Sequence, residues 1–286
     1  MRRAGFAYRV TAFAIALVAL SSTLFAQQRP LQTEDPEPIG AGRILVESGF
    51  DFAHDQEYPT SGLEGDLIRL PTLGLSFGIS AIAEFQLDGG LFNHLSINKR
   101  ETAPLSNLVT ATGDTTHDVE DLVVATKIRL KGESANAPSF AVRFATRLPN
   151  ATNESGLGLD TTDFSFSVLS AKTVQSIRVV GNLGFGILDD PIAAHTQNDV
   201  LTYGVSLARA TTDRAEIVGE VNGRVSSRDA GDDPGTETRG LLTFGARYTW
   251  SSYRIDGGVF WGLTAVDPTF GFTAGFTWVF HAFDVP

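Results

Sequence analysis

From residue 42 to residue 281 the chain alternates apolar and polar side chains with period two, segment after segment. No amphipathic helix interrupts that pattern, which restricts the chain to β-structure, since only a strand places every second residue on one face. In GRILVESGFDFAHD, Ile44, Val46, Ser48, Phe50 and Phe52 share one face, against Arg43, Glu47, Gly49 and Asp51 on the other. DLVVATKIRLK and SFAVRFATRL repeat the pattern. Twelve such segments can be drawn, at 42–54, 65–78, 83–94, 118–131, 138–148, 161–171, 175–188, 199–209, 214–226, 237–250, 253–264 and 269–281. A sandwich strand is typically about 5–6 residues long, whereas a tilted membrane strand needs roughly 9–11. These segments fit the second.

The connections agree. Those after the odd segments are mostly long and polar, such as 95–117 and 227–237, and those after the even ones are short, such as KTV at 172–174. Long loops at one end and tight turns at the other are the pattern of outer-membrane barrels. Glycine recurs on the polar face, at Gly74, Gly184, Gly186, Gly258, Gly262, Gly271 and Gly275, which suits a crowded interior better than a solvated surface. The fold expected is all-β: a transmembrane, antiparallel, up-and-down β-barrel of about twelve strands. In GFTAGFTWVF, Phe272, Phe276, Trp278 and Phe280 then face lipid, the last two in an aromatic girdle. Thr273, Gly275, Trp278 and Phe280 are similar to the C-terminal signal by which such barrels are recognised for assembly.

Residues 1–26, with Arg2 and Arg3 before a short apolar run, read as a secretory signal peptide. Residues 27–41, rich in Pro and charge, read as an extended periplasmic arm, and 42–286 as the barrel. The expected location is the outer membrane of a Gram-negative-type bacterium. The expected partners are outer-membrane lipid, the barrel-assembly machinery and a small organic solute. A net charge of −11 argues against nucleic acid, and the absence of cysteine removes disulfides from the argument.

Strand phase puts Glu84, Asp88, Asp121, Lys127, Arg129, Arg143, Arg147, Arg178, Glu216, Glu220, Arg224, Arg254 and Asp256 in the lumen, as candidates for setting selectivity. Lys127, Arg129, Arg143 and Arg147 form a basic stripe across neighbouring strands. Such charges could line a selective channel or fill a narrow barrel with ion pairs. No enzyme is expected and no catalytic residue assigned. The one foothold, His94 and Ser96 in NHLSIN, lacks the continuation of an outer-membrane phospholipase motif. No metal motif or cofactor fingerprint is visible, and Asp229, Asp232, Asp233 and Glu237 read as a solvated acidic loop.

RPLQTEDPEPIGAGRILVESGFDFAHD, IRLPTLGLSFGIS and AEFQLDG resemble the outer-membrane family labelled "MetA-pathway of phenol degradation". The shared features are the Thr-Glu-Asp-Pro arm, a first strand ending in acidic aromatics, and a Leu-Pro-Thr hairpin. The resemblance implies a transporter-like barrel passing small, hydrophobic or aromatic, organic compounds by passive diffusion. The alternative is a closed structural or adhesive barrel with ligand-binding external loops; a lipid hydrolase stands third.

Overall fold

The computed structural model describes residues 29–193, 196–228 and 234–285, so the segment read as a signal peptide lies outside the described residues. Fourteen strands follow one another: β1 (Arg43–Tyr58), β2 (Leu63–Gly78), β3 (Ala83–Gly90), β4 (Asn93–Arg100), β5 (Thr115–Asp118), β6 (Leu122–Lys131), β7 (Ser139–Leu148), β8 (Asp163–Val174), β9 (Ile177–Asp189), β10 (Gln197–Ala210), β11 (Ala215–Ser226), β12 (Arg239–Trp250), β13 (Tyr253–Gly262) and β14 (Phe270–His281). Every pairing is antiparallel between neighbours, and β1 pairs with both β2 and β14, which closes the sheet on itself. The ring has twelve staves. The remaining two strands, β4 and β5, extend it on the long-loop side.

That extension corrects two of the expected segments. The third, 83–94, ends as β3 at Gly90 and its last two residues open β4. Of the fourth, 118–131, only Asp118 belongs to β5 and β6 starts at Leu122, so β4 and β5 occupy the two ends of the loop expected at 95–117. The cause lies in β2, where Pro71 has no N–H to give the ladder. Thr72 pairs with Gly90 of β3 and Arg69 pairs with Asn93 of β4, so the partner bends at Leu91 and Phe92 opposite the proline. Leu91 N–H still donates to the Pro71 carbonyl (3.1 Å), and Leu70 N–H to that of Phe92 (2.9 Å), so the bend costs few hydrogen bonds.

The outer surface is apolar. Leu183, Phe185, Leu201, Val205, Ile217, Phe244, Phe272 and Phe276 all point outward and are exposed, while their sequence neighbours face the lumen. A water-soluble protein rarely exposes an apolar patch beyond a few hundred Å², whereas a belt of this kind is what a lipid-facing barrel requires. At the short-turn end, Tyr248, Trp250, Tyr253, Trp278 and Phe280 form a run of ring contacts, with Trp278 and Phe280 centroids 4.2 Å apart. This is the girdle expected from the closing strand. Beyond it, the N–H groups of Ala282 and Phe283 donate to the Gly42 carbonyl (2.8 and 3.2 Å), tying the tail to the point where the arm becomes β1.

Leu183 lies midway along β9 on the outer face and pairs across the ladders with Tyr203 and Val168. Leu183→Arg is expected to lower stability in lipid vesicles by about 2–4 kcal/mol, the cost of a cation near the bilayer midplane. The check is urea unfolding of vesicle-reconstituted protein against the wild type; an unchanged midpoint would place this face away from lipid.

Candidate functional site

The lumen is occupied by the segment Arg29–Ala41, which precedes β1. An extended chain inside a barrel has no strand partner, so its backbone groups must be satisfied by side chains from the wall. Glu220 of β11 accepts from the N–H groups of Gln32 (2.7 Å) and Thr33 (2.8 Å). Asn182 of β9, with its amide oriented to suit both partners, bonds the N–H (2.7 Å) and carbonyl (2.9 Å) of Glu34. Glu84 of β3 accepts from Ile39 N–H (2.6 Å), and Arg247 of β12 donates to the Arg29 carbonyl (2.7 Å).

Charges hold the arm at both of its ends. Arg29 lies on the acidic side of the lumen, 3.6 Å from Asp51 and 3.5 Å from Asp256, and donates to Thr72 and Thr273. Glu34, Asp35 and Glu37 meet the basic stripe opposite. Lys127 Nζ, fully buried, reaches Glu34 (2.7 Å), Glu84 (3.0 Å) and the Asp35 carbonyl (2.8 Å). Arg178 donates to both oxygens of Asp35 (2.5 and 2.7 Å), and Arg129 pairs with Glu37. Two of the lumenal glycines make the berth possible: a Cβ at Gly49 or Gly275 would run into the Arg29 guanidinium. A Cβ at Gly245 would meet the Pro30 ring.

The residues singled out by strand phase all take part in contacts across the barrel interior. Asp88 pairs with Arg143 (3.4 Å), Asp121 with Arg147 (2.5 Å), and Arg147 also with Asp163. Glu216 lies 3.9 Å from both Arg247 and Arg254. Arg224 donates to the carbonyls of Glu237 (2.8 Å) and Gly235 (3.0 Å). Asp256 is buried beside Arg29, with neither carboxylate oxygen hydrogen-bonded. Strand phase also reaches Glu47, Arg69, Asp163, Arg239 and Arg247, which were not singled out. Arg29, Glu34, Asp35 and Glu37 had no periodic signal to place them in the lumen.

External to the arm lies a cavity of about 760 Å³, floored by arm residues 29–34. Its upper wall is apolar: Ala53, Leu67 and Phe260 are buried there, with Tyr58, Leu157 and Leu241 packed against them. Loop contacts roof the mouth, among them Thr110 N–H to the Glu154 carbonyl (2.9 Å) and Ser61 Oγ to that of Gly156 (2.8 Å). A second hollow of about 640 Å³ lies among Phe144, Phe164, Phe166 and Phe185 of the outer face, where lipid is the neighbour.

Other sequence candidates fall outside this region. His94 stacks with Phe92 (6.0 Å) and lies opposite His117, while Ser96 lies opposite Asp66 and Thr115. Asp229, Asp232 and Asp233 lie outside the described residues. A grouping with no sequence motif does form at the outer rim, where His54 Nδ1 meets Asp66 (2.6 Å) and Nε2 meets Asp55 (3.2 Å). Both ring nitrogens are thereby engaged by carboxylates.

No protein-family model matches the chain. No curated protein matches it either. Among solved structures, the chain is similar to an outer membrane channel from Pseudomonas putida F1, with a TM-score of 0.61 and 13% identity over 86% of this chain and 98% of that one. Weaker likenesses are to the translocator domain of the autotransporter NalP from Neisseria meningitidis (TM-score 0.47, 14% identity, 96% of this chain and 97% of that one) and to a mutant of the monoaromatic hydrocarbon channel TodX (TM-score 0.42, 10% identity, 84% and 89%). The fold is that of outer-membrane barrels.

Glu34 carries a pH prediction. Burial pushes its carboxyl up, but Lys127, then Arg143, with hydrogen bonds from Lys127 and Gln86, outweigh burial and hold it below its ordinary value of 4.5. Because the docked value is depressed, this contribution to docking is complete above pH 4.5 and is lost only as pH falls through the lower, docked value. The chain has no cysteine, so a spin label at Gln32→Cys reports the arm alone. Its spectrum is expected to stay immobilised from neutral pH down to 4.5 and to sharpen below. Lys127→Met, which strands Glu34 and Glu84, should mobilise the label at neutral pH, since breaking a buried pair costs about 3–5 kcal/mol.

Proposed function

We propose that this chain is an outer-membrane channel through which small organic compounds diffuse passively, with the segment Arg29–Ala41 as an internal gate. The observation that carries the reading is how the lumen is filled. The wall leaves room for an extended segment held by side chains and ion pairs, and a cavity lies beyond it. A barrel meant only as a wall would close more simply by packing its own side chains across the axis. Here the occupant is a separate segment joined to the barrel at Gly42, so it can shift without breaking a ladder.

The solved neighbour described as an outer membrane channel supports the reading at the level of fold. The apolar patch of Leu67, Leu241 and Phe260, set in an otherwise polar cavity, gives a hydrophobic or aromatic body a surface to rest on, which a sugar would not use. The chain is read as a channel and not an enzyme: Glu84, Lys127, Arg178 and Glu220 are engaged by the arm, and His94 and Ser96 sit on another surface. Residues 1–26 are proposed as the export signal, and Thr273, Gly275, Trp278 and Phe280 as the mark read by the assembly machinery.

Planar-bilayer recording tests the gate. The wild type is expected to give small steps, and Arg178→Ala, which frees Asp35, larger and longer ones. Arg143→Ala and Arg147→Ala should shift ion preference towards cations, since each removes a lumenal positive charge. Silence from folded wild type and from folded Arg178→Ala alike would favour the closed structural or adhesive barrel.

A further inference from the structure

We infer that the cavity external to the arm is a binding site for a small organic anion, a carboxylate carried on an apolar body about the size of one ring. This rests on the channel reading and deepens it by naming the solute class. The first observation is a pair of like charges. Arg224 of β11 and Arg239 of β12 are direct cross-strand partners, an arrangement that weakens a sheet unless something offsets it. The offset within the chain is incomplete. Arg224 donates to two loop carbonyls, and Arg239 Nη1 to the Val266 carbonyl (2.8 Å), which satisfy geometry but cancel no charge. The nearest carboxylate they share, Glu237, has its Oε2 3.6 Å from Arg224 and 3.7 Å from Arg239, and that buried oxygen bonds neither. Asp267 stands 3.9 Å from Arg239 and spends its other oxygen on Gly240 and Thr264.

Elsewhere in the cavity the arginines are better matched: Arg69 has Asp51 and Glu120 at 3.0 Å each, and Arg147 has Asp121 and Asp163. Arg147 lies within electrostatic reach of Arg224 but brings Asp163 with it, so the positive charge left to answer belongs to Arg224 and Arg239. Among the described residues, Arg224 Nη1 has no hydrogen bond, which leaves a donor for a carboxylate oxygen.

The second observation is what adjoins the pair. Leu241 follows Arg239 on the same face of β12, and it packs with Phe260 and Leu67 in the apolar wall. A ligand with its carboxylate on the arginines would thus lay its apolar body against these three side chains. A purely apolar solute would leave the arginine pair unanswered, and a compact ion such as acetate would leave the apolar wall bare. The acidic lining on the Asp51 side adds selection against anions with charge at both ends.

The test uses the mature full-length chain in lipid nanodiscs, with benzoate as probe and benzyl alcohol as its uncharged counterpart, each measured by equilibrium dialysis above empty nanodiscs. Benzoate is expected to bind more tightly than benzyl alcohol. Arg224→Gln should lower benzoate affinity about tenfold, the scale of one charge-assisted hydrogen bond, and leave benzyl alcohol unchanged. Arg239→Lys should retain part of the preference. Folding is verified by the heat-dependent mobility of the barrel on gels. Should Arg224→Gln fail to fold, the wild-type preference and its decline with salt decide the matter. Equal binding of the two probes, or a preference that survives Arg224→Gln, overturns the inference. Uptake into liposomes, taken as the rate above protein-free liposomes because benzyl alcohol crosses lipid unaided, separates the two readings: benzyl alcohol entering faster through the wild type while benzoate shows no preference sinks the anion site alone. No entry of either probe above the protein-free rate sinks the channel with it.

Discussion

The buried ammonium of Lys127, held between Glu34 of the arm and Glu84 of the wall, is the interaction on which the interior depends. A charge so far from water is tolerated only with opposite charge and hydrogen bonds at hand. Glu84 supplies one partner from the neighbouring strand, and the arm supplies the rest. The same dependence repeats at Arg178 with Asp35 and at Arg129 with Glu37. The basic stripe is therefore not balanced by acids on the facing wall alone. It is balanced by a segment that enters from outside the ring.

The order of charges along that segment explains why it lies in one direction. Arg29 comes first and meets Asp51 and Asp256; the acids come five to eight residues later and meet the lysine and arginines. Reversing the chain would set like against like on both sides, a mismatch that enforces register more than it adds stability. The glycines at 49, 245 and 275 record the same geometry as missing volume, since the wall withdraws where Arg29 and Pro30 lie.

Two barriers of different kind thus stand in series along the lumen. The inner one is electrostatic and belongs to a segment without ladder pairing. The outer one belongs to the loops that roof the mouth, joined by backbone and hydroxyl hydrogen bonds. Segments held by few backbone ladders open at lower free energy than the strands around them, so movement is expected first in the arm, with the ring unchanged.

Period two and strand length determined the barrel, because burial of one face towards lipid and the other towards the lumen is a local property of each strand. Leu183 and Phe272 outward, Lys127 and Arg143 inward, could be read one segment at a time. The bend at Leu91 and Phe92 was within reach as well, through Pro71, but only once β2 was known to be their partner. The berth of the arm was decided by the tertiary structure alone. Residues 29–41 have no periodicity, and their Pro and charge content suits solvent as well as it suits a lumen. What places Glu34 on Lys127, 93 positions later in the chain, is the closing of the ring, which brings the walls to the distance one extended strand can bridge. The same closure sets Arg224 and Arg239 beside an apolar wall. Each residue's facing was written in its own strand; which charges would stand together was a matter of how the strands came round.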